Sequence, residues 1–170
     1  MIKEVIAKAL SDQLNAELYS AYLYLSMSAD AERLGYKGAS NWLYTQAKEE
    51  MAHGAHIYRY IIERQTSPVF SNITAPETSF KTIKDIFENV LKHEKKVTEL
   101  INDIASLAMK ENDHASYNFI MWFVKEQIEE VARTSEIVTR INMIGDNPDL
   151  LYSLNAELAT RAFRHPFPEE

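Results

Sequence analysis

No cysteine occurs in the chain, so disulfides, thiol redox motifs, zinc ribbons and cysteine-ligated clusters are all excluded. That absence fits a reducing compartment, and a cytoplasmic location is the expectation. Glycine and proline are scarce, at 4 and 5 of 170 residues, and they fall between long periodic segments, as an all-helical chain requires. No apolar run is long enough to span a bilayer, and the N-terminal Met1–Lys8 stretch alternates charge with apolar residues, so neither a membrane partner nor a secretory leader is expected. Basic surface is also missing. The net charge is −7, and the few lysine clusters are interleaved with acids, which argues against a nucleic-acid partner and in favour of cations.

What is present is helical periodicity. Apolar or small residues at Ile6, Leu10, Leu14, Ala21, Leu25 and Ser28 mark a first helix over about 3–33, closed by Gly35 and Gly38. Leu43, Ala47, Ile57 and Ile61 mark a second over about 40–65, with Ser40 or Asn41 as its cap. The segment from about 67 to 79 carries two prolines and no period. A loop of that length can run the whole length of a bundle and start the next helix at the far end.

Thr82 and Asp85 form a capping box for a third helix over about 82–110, and Asp113 caps a fourth over about 114–144. Asn147-Pro148 opens a short fifth helix over about 149–160, followed by a tail from Arg161 that is expected to fray. The predicted architecture is one all-α domain over residues 1–170: a four-helix bundle of two antiparallel pairs joined by a long crossover, plus a short fifth helix.

Within the apolar stripes sit acids that recur. Glu17, Glu50 and His53 in the first half are matched by Glu94, Gln127 and Glu130 in the second, and 94 − 17, 127 − 50 and 130 − 53 are all 77. Glu50 and His53 are three apart on one helix face, and Gln127 and Glu130 repeat that spacing. An unpaired charge in an apolar core is costly, and a metal ion is its natural partner. Four carboxylates from Glu17, Glu50, Glu94 and Glu130 balance two divalent ions. Oxygen ligands with one neutral imidazole suit iron, with Glu50 placed to bridge the pair. Taken alone, Glu17 or Glu94 reads as a misjudged surface acid and His53 as an ordinary core histidine; the repetition argues otherwise. Glu49, Glu126 and Glu129 lie one residue or one turn from these positions and are candidates for a third ion or for a solvated face. Tyr24, two turns beyond Glu17, and Trp122 are candidates for supplying an electron.

These residues resemble the bacterial non-haem ferritins over essentially the whole chain. The likeness is carried by residues 14–24 (LNAELYSAYLY), 46–53 (QAKEEMAH), His93-Glu94 and 122–130 (WFVKEQIEE). The inward Glu and Glu-x-x-His pattern is a known template of ferritin-like di-iron bundles and is here recognised as such. The resemblance implies a ferroxidase that oxidises ferrous iron with O2 or H2O2 and stores ferric mineral in a homo-oligomeric shell of twenty-four subunits. It assigns Glu17, Glu50 and His53 to one iron and Glu50, Glu94 and Glu130 to the other. Gln127 would stand beside the second, and Glu49, Glu126, Glu129 and Glu130 would form an accessory third site.

Met51 follows Glu50 where bacterioferritins place a haem-ligating methionine. No haem is expected, because residues 127–130 read Gln-Ile-Glu-Glu and not a second Glu-x-x-His. Tyr117 and Ile120 stand where animal heavy chains carry an acidic three-fold pore, and Ala52 and Ala55 where they carry nucleating acids. A DNA-protecting miniature ferritin would place its iron between subunits and lack the fifth helix. A rubrerythrin-like peroxidase would need cysteines, and the blandest rival is a bundle with an inactive site.

Overall fold

The computed structural model describes residues 2–167. Five helices follow in order: α1 (Glu4–Arg33), α2 (Lys37–Glu63), α3 (Ile83–Lys110), α4 (His114–Ile144) and α5 (Pro148–Leu158). None of them is long and apolar enough to cross a membrane.

Two apolar clusters define the topology. One joins Ile6, Leu10 and Leu14 of α1 to Ile57 and Ile61 of α2, Val97 and Ile101 of α3, and Ile120 and Phe123 of α4. The other joins Met27 and Ala31 of α1 to Ala39 and Leu43 of α2, Ile86 and Val90 of α3, and Ile137 and Ile141 of α4. The beginning of α1 therefore meets the end of α2, and the beginning of α3 meets the end of α4, which makes each pair antiparallel. Helices α2 and α3 run in the same direction, so the chain must travel the length of the bundle between them.

It does so along α1, which offers polar side chains at successive levels. Ser11 Oγ accepts from Val69 N–H, Asn15 bonds both Val69 and Ser71, Ser26 donates to the Glu77 carbonyl, and Asp30 Oδ2 accepts from Phe80 N–H at 2.7 Å. These bonds satisfy a crossover that has no ladder of its own.

Helix ends follow their caps. Thr82 Oγ1 accepts from Asp85 N–H at 3.0 Å, Asp113 Oδ1 accepts from Ser116 N–H at 3.0 Å, and Asn147 Oδ1 accepts from both Asp149 and Leu150. Helix α2 departs from expectation. It begins at Lys37, inside the Gly35–Gly38 stretch read as a terminator, and neither Ser40 nor Asn41 caps it. Asn155 of α5 reaches across instead, its Oδ1 accepting from Gly38 N–H at 2.8 Å and Ala39 N–H at 3.0 Å. Contact is so close that a Cβ on Gly38 would lie 1.7 Å from the Asn155 carbonyl oxygen. Gly35 alone takes the left-handed conformation, at φ 87°, that turns the chain between α1 and α2.

Two further expectations are corrected. Leu25 is exposed, because the buried stripe of α1 passes through Tyr24. The tail from Arg161 does not fray over its described part. Phe167 stacks on His56 with ring centroids 3.7 Å apart and packs tilted against Trp122 at 4.4 Å, so the segment folds back along α2 and α4. Residues 168–170 of the expected tail lie outside the described residues.

Candidate metal centre

Between the two apolar clusters lies a single polar layer. On α1 Glu17 separates Leu14 from Ala21; on α2 Glu50 and His53 separate Ala47 from Ile57; on α3 Glu94 separates Val90 from Val97; on α4 Gln127 and Glu130 separate Phe123 from Ile137. All six are buried, none more than 5% exposed. Antiparallel pairing places one element of each sequence half at the same height, which is why an offset along the chain becomes a plane across the bundle.

Glu17, Glu50 and His53 each present a ligand-type atom within 4.8 Å of the other two. His53 Nδ1 lies 3.4 Å from Glu50 Oε2. Gln13 donates to Glu17 Oε1 at 2.8 Å, while Glu17 Oε2 and His53 Nε2 are buried with no partner. Orphaned buried polar atoms are rare in folded proteins, and two at one point are what a cation would satisfy. Across the layer the Gln127 amide donates to Glu94 Oε2 at 3.1 Å, and the Tyr24 hydroxyl donates to Glu94 Oε1. The two halves are tied by Gln46, whose amide nitrogen donates to Glu50 Oε1 at 2.8 Å and to Glu130 Oε2 at 3.1 Å.

Taking an ion out of water costs several kcal/mol even after relaxation, so four adjacent ionised carboxylates cannot persist without cations. The protonation pattern shows how the protein alone resolves this. Burial, reinforced by the charge of Glu50, raises Glu17 well above the usual carboxylate range. Burial and the charges of Glu50 and Glu130 bring Glu94 to about 8, and burial with the charge of Glu50 brings Glu130 to about 7. Glu50 goes the other way: burial would raise it, but hydrogen bonding and attraction to His53 outweigh that and lower it. Burial opposes the charge on His53 too, yet the bond to Glu50 and the surrounding acids raise it to about 10. The Glu50–His53 pair, the Arg133 guanidinium 3.4 Å from Glu130 Oε1 and protons therefore stand in for metal charge. Burial and the charges of Glu94 and Glu50 raise Tyr24, which keeps its proton and donates it to Glu94.

The accessory acids are placed less uniformly. Glu49 and Glu126 line a cavity of about 610 Å³ beside His53, together with Trp42, Trp122 and Arg161. Glu129 is exposed and lies off that wall. Among the described residues, the metal-type group is Glu17, Glu50 and His53, and Glu49 is engaged by Arg161 at 2.5 Å.

The Ferritin-like domain model matches residues 7–144. The chain is 39% identical over 163 residues to the bacterial non-heme ferritin of Staphylococcus saprophyticus, covering 96% of this chain and 98% of that protein. The chain belongs to the ferritin family. A probable bacterial non-heme ferritin-like protein of Haemophilus influenzae is 35% identical over 158 residues, 93% of this chain and 96% of its own length. Among solved structures, an Archaeoglobus fulgidus ferritin engineered into a closed form superposes with a TM-score of 0.95 at 38% identity, covering 96% of this chain and all of that one. The open-pore ferritin of the same archaeon gives 0.93 at 38% identity, covering 95% of this chain and 98% of its own.

Four residues around this ferritin's centre lie outside the sequence pattern, among them Arg133, which stands three residues beyond Glu130 and lies 3.4 Å from its Oε1. Gln13 and Gln46 each stand four residues before a core glutamate, Glu17 and Glu50, and that shared i, i+4 relation was a usable signal. Arg161 carried none, because it arrives from beyond the bundle.

Proposed function

We propose that this ferritin stores iron and acts as a ferroxidase at the polar layer, with Glu17, Glu50 and His53 taking one ferrous ion and Glu50, Glu94 and Glu130 the other. The observation that carries the reading is the plane of six buried polar residues, four of them glutamates, between two apolar clusters, with Glu17 Oε2 and His53 Nε2 left unpartnered. Nothing in packing rewards such a layer, whereas two divalent cations neutralise its four carboxylates.

Iron is the substrate and the cargo. Each of two ferrous ions gives up one electron; dioxygen accepts the pair with two protons and leaves as hydrogen peroxide, or peroxide accepts them with two protons and leaves as two waters. Ferric ions then hydrolyse and pass to mineral. The carboxylates hold the ions close enough to act together. Gln127 and Tyr24 fix the orientation of Glu94 by donating to its two carboxylate oxygens. The whole chain acts as one ferritin-like domain, in a cytoplasmic homo-oligomer of twenty-four copies whose four-fold contacts use α5, and it functions without haem.

Replacing Glu50 or His53 by Ala should abolish rapid ferrous oxidation while the shell assembles as before. Stopped-flow absorbance of the ferric product on the assembled variants measures this, and wild-type rates in either would refute the assignment.

A further inference from the structure

Arg161 follows α5 and belongs to none of the four bundle helices, yet its guanidinium penetrates to the edge of the polar layer. Its side chain is only 12% exposed. Nη2 donates to Glu49 Oε2 at 2.5 Å and to Gln46 Oε1 at 2.7 Å, and the guanidinium lies 4.2 Å from the centre of the Trp42 ring. Its backbone is held too, since Asn41 Nδ2 donates to the carbonyls of Arg161 and Ala159 at 2.9 and 3.2 Å. A long side chain gripped at both ends is a built contact and not a surface arginine at rest.

Two consequences follow from chemistry. A guanidinium has donors and no acceptor, so it can meet only the oxygen of the Gln46 amide. That choice turns the amide nitrogen toward the layer, where it joins Glu50 to Glu130. In addition, Glu49 Oε2 already faces positive charge, from Arg161 at 2.5 Å and more remotely from Arg133 at 4.0 Å, which also lies 3.4 Å from Glu130, so a divalent ion at Glu49 would need to displace the nearer Arg161.

We propose that Arg161 is a positioning residue that serves as a resident cation of the metal centre: it occupies the accessory position at Glu49 and sets the orientation of Gln46, so that each subunit binds two metal ions tightly and not three. The inference rests on the metal-centre reading above.

The test is an anaerobic titration of the assembled full-length protein with ferrous ion, following tight binding by calorimetry and the ferrous near-infrared circular dichroism. The wild type should bind two ions per subunit. R161Q should bind a third, with a new dichroic band. R161K retains a cation and should return the count to two, and E49Q combined with R161Q should abolish the third ion. Three tight ions in the wild type overturn the proposal whatever the variants do. A count unchanged at two in R161Q, with an unaltered spectrum, overturns it while leaving the centre intact. No tight binding by the wild type would instead overturn the metal-centre reading, and this inference with it.

Discussion

Loading the centre must expel protons, and the structure sets how many. Binding two divalent ions requires Glu17, Glu94 and Glu130 ionised and His53 neutral. In the unloaded protein Glu17 lies well above the carboxylate range, Glu94 is near 8, Glu130 near 7 and His53 near 10. At neutral pH His53 is protonated, Glu94 mostly so and Glu130 about half, so these three groups release roughly two protons per subunit, and Glu17, raised by burial and by the charge of Glu50, adds to that number. The sign is fixed: metal competes with protons, so affinity rises with pH. Two protons correspond to at least roughly a hundredfold gain per pH unit in the joint constant for both ions, or about 3 kcal/mol. Toward about pH 9, where Glu94 and Glu130 have already ionised, the yield should drop by about one to two protons. Zinc serves as a redox-inert probe. Calorimetry in several buffers of different ionisation enthalpy counts the protons directly, supported by an indicator dye in weak buffer. A release below one proton near neutrality, or a yield indifferent to pH, would refute the reasoning.

The same groups govern stability without metal. Glu94, Glu130 and His53 have folded-state values above their ordinary ones of 4.5, 4.5 and 6.5, so their stabilisation is complete below those values and is lost as pH climbs through about 8, 7 and 10 respectively. Unloaded protein should therefore melt at a lower temperature near pH 9 than near pH 6, while metal-saturated protein should not. Scanning calorimetry of both forms decides this, and an unloaded melting point that held or rose would contradict it. At the other end of the bundle, Gly38→Ala should force α5 off α2, because the new methyl carbon would meet the Asn155 carbonyl oxygen at 1.7 Å. The expected cost is about 2 to 4 kcal/mol of stability, with early proteolysis after Gly145, against about 1 kcal/mol for Asn155→Ala, which removes the cap without a clash. Equal melting points for G38A and wild type would show that the contact can yield.

Much of this was legible along the chain, for identifiable reasons. Amphipathic spacing is a local property of sequence, so Leu10, Leu14, Ile57, Phe87 and Ile101 announced which faces are buried. Thr82, Asp113 and Asn147 announced where helices begin, because a cap acts within three residues of itself. The acids and His53 of the polar layer stood out because each breaks an apolar stripe, and their common offset placed them at one height once two antiparallel pairs were granted.

Contacts between residues far apart in the chain required the fold. No local rule tells that amides opening α2 are satisfied by Asn155, more than a hundred residues away, which is why the local expectation of a cap at Ser40 or Asn41 fails. Nor does composition tell that a tail with scattered prolines lies back along α2 and α4, placing Arg161 on Glu49 and Gln46 and Phe167 against His56. Sequence determined the helices, their buried faces and the chemical types gathered at the centre, since those depend on neighbours within a turn or two. Tertiary structure decided which polar group satisfies which, because burial makes every donor and acceptor find a partner, and the nearest in space need not be near in the chain.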